Sequence, residues 1–118
     1  MRYEMVKNIE KMAFLDRTGI TLKCKKAFYD WLDVVYPQHP YEGNSPGTFF
    51  LLPEYLYEEK HIEAFIKKNF KLFFQKELSD WIGEMDIYPK IFTYKKFTEF
   101  FDITFCDIVY DITKEDDD

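Results

Sequence analysis

The stretch 58-EEKHIEAFIKKNFKLFFQKELSDWIG-83 decides the fold. Its apolar residues recur at helical spacing. Ile62, Phe65, Ile66, Phe70, Phe73 and Trp81 form one stripe, while Lys67, Lys68, Lys71 and Gln75 form the opposite face. The spacing predicts one long helix, and Gly83 stands where a helix C-cap is expected. A helix of this length with one apolar stripe needs another layer to cover it.

Its neighbours supply that layer. TFFLL, 48–52, is a short run closed by Pro53 and reads as a strand. It is apolar on both faces, which predicts a central or doubly covered position. Residues 20–24, ITLKC, alternate and suit a second strand. Residues 25–36 place Phe28, Trp31, Leu32 and Val35 at helical spacing, and Pro37 stops that helix. Thr93 is a candidate N-cap for a helix to about 101 that buries Phe97, Phe100 and Phe101. The segment 103–112, ITFCDIVYDI, reads as one closing strand, and Met5, Val6, Ile9, Met12 and Ala13 suggest a helix over 3–14. The expected architecture is α+β, a two-layer single domain over 1–112. About three antiparallel-type strands pack on three to four helices. Residues 113–118, TKEDDD, are expected to be a flexible acidic tail.

Composition narrows the function. The chain has 118 residues, 20% of them aromatic, so its core is rich in rings. Sixteen Lys and Arg face 22 Asp and Glu, for a net charge of −6, and only Arg2 and Arg17 are Arg. A nucleic-acid partner calls for a basic face and Arg forks, so none is expected, although Lys67, Lys68 and Lys71 share a face. No apolar run approaches the roughly 20 residues a membrane span needs, and the charged N-terminus does not read as a signal peptide. Cys24 and Cys106 do not read as a secreted disulfide framework, and a cytoplasmic setting is expected.

The fragments KAFYDWL (26–32), TFFLLPEY (48–55), KELSDW (76–81), YPKIFTYKKFTEFFDITF (88–105) and VYDI (109–112) occur in a telling order. In that order they resemble a family of small bacterial proteins of unknown function, over about residues 20–112. The resemblance implies a similar fold and a cytoplasmic setting, and no activity. It also implies departures. Tyr88 stands where the family typically has Trp, Phe92 where it has Arg, and Cys106 where it has His.

Cysteine–histidine catalysis would need a thiolate beside a base. Cys24 and Cys106 lie in apolar segments, and His39 and His61 have no companions at ligand spacing. No catalytic residue, metal or cofactor is assigned. Two other readings remain. The first is a non-enzymatic interaction module, for a protein partner or a second copy of the chain. It would use Tyr and Phe rings in 36–57 and 85–93, among them Tyr55, Tyr57, Tyr88 and Phe92. The second is a small-molecule pocket or weak enzyme bounded by Glu54, Glu77, Asp102 and Asp111 with Tyr55 and Tyr88. It stands only if those carboxylates converge.

Overall fold

The computed structural model describes residues 12–83 and 92–112. Among them are three helices and five strands, every strand pair antiparallel. β1 (Met12–Leu15) leads into β2 (Gly19–Cys24), α1 (Lys26–Val35) and β3 (Thr48–Leu51). The long helix α2 (Glu59–Ile82) follows, then α3 (Tyr94–Phe100), β4 (Phe101–Cys106) and β5 (Val109–Ile112). One sheet has the order β3-β2-β4; the other is the pair β1-β5.

The two sheets are consecutive parts of one antiparallel ribbon. β2 pairs with β4 from Cys24↔Phe101 to Gly19↔Cys106, and β1 pairs with β5 from Leu15↔Val109 to Met12↔Ile112. Three residues, Asp16 to Thr18, separate β1 from β2, and two, Asp107 and Ile108, separate β4 from β5. Three residues opposite two is the arithmetic of a bulge, which bends the ribbon. The bend is tied to the turn after β3. Arg17 Nε donates to Leu52 O at 2.7 Å and Leu52 N donates to Thr18 O at 2.9 Å. The buried Thr18 hydroxyl donates to Leu56 O at 2.6 Å.

Alternation along β2 turns Ile20, Leu22 and Cys24 inward against the helices. They join a core of stacked rings. Phe74 lies within 5.6–5.8 Å of Phe97, Phe100 and Phe101. Phe28 meets Trp81 at 5.4 Å and Phe101 at 5.6 Å. Phe28, Phe74 and Phe97 are fully buried.

The long helix and its capping glycine are where the spacing put them, with Gly83 at φ +64°. Asn69 leaves helical geometry (φ −113°, ψ 16°), and its amide donates to Phe65 O at 2.9 Å. The apolar stripe changes register at that kink. Ile62 and Ile66 are buried before it; Phe73, Phe74, Leu78 and Ile82 are buried after it, while Phe65, Phe70 and Trp81 pack at the margin. Thr93 caps α3, its Oγ1 accepting from Lys96 N at 3.1 Å.

Three expectations are corrected. The helix expected over 3–14 ends in a strand at its described part: Met12–Leu15 pair with β5, so a long-range ladder overrides local spacing. Residues 3–11 lie outside the described residues. TFFLL is not central. β3 is an edge strand, and β2 takes the centre. Phe50 turns in against Phe73 at 5.0 Å, while Phe49 turns out over Gly19, where a Cβ would collide with its ring. An outward aromatic can therefore be accommodated by a neighbouring glycine without a covering layer. The closing segment is two strands, β4 and β5, broken at Asp107 and Ile108 by the bulge. Asp107 therefore shares no strand face with Asp111.

Candidate functional site

Two regions stand out from the packed body. The first is the far end of the ribbon. Met12, Phe14, Tyr110 and Ile112 lie on one face of β1-β5 as the cross-strand pairs Met12↔Ile112 and Phe14↔Tyr110. They are 46%, 58%, 57% and 67% exposed. Phe14 and Tyr110 meet edge to face at 5.8 Å. None of the four belongs to the buried core cluster. A two-stranded ribbon is marginal by itself, and a contiguous exposed apolar patch on it is a candidate contact surface. The face itself carries no charge.

The second region is a cleft of about 410 Å³ between the 41–48 segment and the C-terminal end of α2. Tyr41, Asn44, Ser45, Thr48, Glu77 and Trp81 are among the residues that line it. The loop is pinned on both sides. Tyr41 OH donates to Trp81 O at 2.8 Å, and Ser45 N donates to Tyr29 OH at 3.2 Å. Glu77 is only 2% exposed, and its Oε1 has no hydrogen-bond partner among the described residues. Burial, with Asp80 nearby, pushes the Glu77 carboxyl up from its ordinary value, while the Thr48 hydroxyl and Trp81 indole oppose that rise. Behind the cleft, burial and then the Glu77 charge push the Cys24 thiol up to about 12. A thiol so held is no nucleophile at neutral pH.

The expected site residues are dispersed. Glu54 lines a different depression, beside Phe14 and Arg17 at the ribbon base. Asp102 lies opposite Lys23, and Asp111 opposite Ala13 on the ribbon. Tyr55 and Tyr57 are exposed in the turn after β3. Phe92 packs against Phe74 at 5.0 Å, and Tyr88 lies outside the described residues. The pocket of Glu54, Glu77, Asp102 and Asp111 is therefore not assembled; only Glu77 of these lines the α2 cleft. His39 is held by Asp33 at 2.6 Å and Tyr41 at 5.5 Å, and His61 faces Glu58 at 4.0 Å.

Phe14, Tyr110 and Ser45 were missed as site residues because long-range pairing or loop closure places them, whereas Tyr41 is one of the rings of 36–57 expected at a contact surface. Tyr110 alternates with Val109 and Asp111, a period-two signal that was available. Among the described residues no helix is long and apolar enough to cross a membrane. Nor do three or more His, Cys, Asp or Glu side chains gather to hold a metal ion there. Comparison of the chain with protein-family models, curated proteins and solved structures finds no match.

Proposed function

We propose that the protein is a non-enzymatic interaction module whose docking surface is the apolar face of the β1-β5 ribbon, and that its occupant is a second copy of the chain. The observation that carries this reading is the exposed quartet Met12, Phe14, Tyr110 and Ile112 on a ribbon that does not share the core. Charge favours self-association at this place. Each chain carries −6, yet the two faces that would meet bear no charged side chain, so two acidic bodies touch there without opposing like charges. The quartet leaves roughly 400 Å² in water per chain, or about 800 Å² across a symmetric pair, below the roughly 1,200–2,000 Å² of stable specific interfaces and in the range of transient contacts. The dimer is therefore weak and concentration-dependent. A cytoplasmic setting belongs to the same proposal, supported by the two free thiols Cys24 and Cys106.

Light scattering coupled to size exclusion, over a concentration series, tests it. The mass should climb from 14.4 kDa toward twice that value, and Phe14→Ser with Tyr110→Ser should abolish the climb. A monomer throughout, or a climb unaffected by the two substitutions, refutes the proposal. Capture of a different protein by the same face would keep the surface and replace the occupant.

A further inference from the structure

The cleft at the end of α2 has a chemistry independent of the ribbon. Its volume of about 410 Å³ suits a small molecule. Three lining residues are carboxylic, Glu42, Glu77 and Asp80, and none of the lining among the described residues is basic. Lys76 pairs with Asp80 at 3.3 Å on the exposed side of the helix. Glu77, more than nine-tenths buried, is left with an Oε1 that has no donor among the described residues. A buried acceptor without a partner is costly, and a ligand that donates to it removes that cost. The last turn of α2 contains no basic residue, so the negative end of the helix dipole favours a cation near it. Tyr41 and Trp81, 4.6 Å apart and edge to face, form an aromatic wall of the kind that attracts cations.

We propose that this cleft binds a small organic cation, a protonated aliphatic amine lacking a carboxylate of its own, whose ammonium group is held by the carboxyl side chain of Glu77. The lining carboxylates repel an anion or a zwitterion presenting its carboxylate. A divalent metal ion demands several oxygen ligands at about 2.0–2.6 Å, and no such group of side chains is gathered among the described residues.

Isothermal titration calorimetry near neutral pH tests this, with 1,4-diaminobutane as the probe and 1,4-butanediol as its uncharged counterpart. The protein should bind one diamine saturably and the diol about tenfold more weakly or worse, the usual worth of a hydrogen bond to a charged group. Glu77→Gln keeps the shape and removes the charge, and should weaken the diamine about tenfold or more while the variant still melts cooperatively. Asp80→Asn, at a half-exposed position, should weaken it about threefold and serves if Glu77→Gln fails to fold. No saturable binding of the diamine, equal binding of diol and diamine, or a folded Glu77→Gln protein of unchanged affinity overturns the proposal.

Discussion

Replacing Glu77 by Gln should make the protein more stable at neutral pH and change the shape of its pH dependence. Glu77 is 2% exposed with one carboxylate oxygen unpartnered among the described residues, so ionising it in the folded protein is unfavourable. Burial raises its carboxyl above the ordinary 4.5. Between the unfolded and the folded value, the folded protein holds a proton that the unfolded chain has lost. Stability therefore falls as pH rises through that window, and the loss is complete above the folded value. Gln keeps the volume and never ionises, so it lacks this fall. An unpartnered buried polar atom costs about 1–3 kcal/mol, and more when charged. The amide brings a donor that is itself incompletely paired, so the net gain should be about 1–2 kcal/mol at pH 7. For a domain of this size that is a rise of roughly 3–10 °C in Tm. Urea unfolding from about pH 4 to pH 8 is the assay. The two proteins should converge at the acid end and diverge as pH rises, with equal m values. A Gln variant less stable than the parent at pH 7, by a margin that shrinks toward pH 4, would show that the carboxylate is well paired when ionised, and would refute the reasoning.

Other outcomes follow from the packing. Phe74→Ala removes the ring at the centre of the aromatic core and should cost about 3–5 kcal/mol, read as a large drop in the urea midpoint. Thr18→Val deletes the buried hydroxyl that holds Leu56 O and should cost about 1–3 kcal/mol, with amide exchange rising first in β1 and β5. Gly19→Ala drives a Cβ into the Phe49 ring and should cost about 1–3 kcal/mol, much of it recovered in a Phe49→Ala background. Ellman's reagent at about pH 8 should label Cys106 in the native protein and leave Cys24 unreacted, since a thiol held near 12 is almost never ionised there.

How much of this was legible in the sequence depends on the range of the contacts that decide each element. The long helix, its glycine cap, the Thr93 cap and β2 rest on spacing within a few residues, and those signals sufficed. Glu77 was legible as a carboxylate on an apolar face, because Phe73 and Trp81 share its side of the helix. Where long-range pairing decides, local spacing misled. Met12 and Ala13 continue a helical rhythm, yet they are consumed by pairing with residues a hundred positions away. The break between β4 and β5 depends on the extra residue in the Asp16–Thr18 bend, which no reading of 103–112 contains. The edge position of β3 depends on β2 pairing with both β3 and β4, which no reading of 48–52 contains. The carboxylates grouped from sequence had only their charge in common, and the sheet register sends Asp102 and Asp111 to separate neighbours, Lys23 and Ala13.

The central claim, that two copies meet through the ribbon face, is tested most directly by isotope-filtered NMR. A mixture of labelled and unlabelled chains, at a concentration where the scattering mass has risen, reports only contacts between molecules. The account predicts intermolecular NOEs joining the rings of Phe14 and Tyr110 to the methyl groups of Met12 and Ile112. A heavier species whose intermolecular NOEs arise elsewhere, with none from these four side chains, would contradict it.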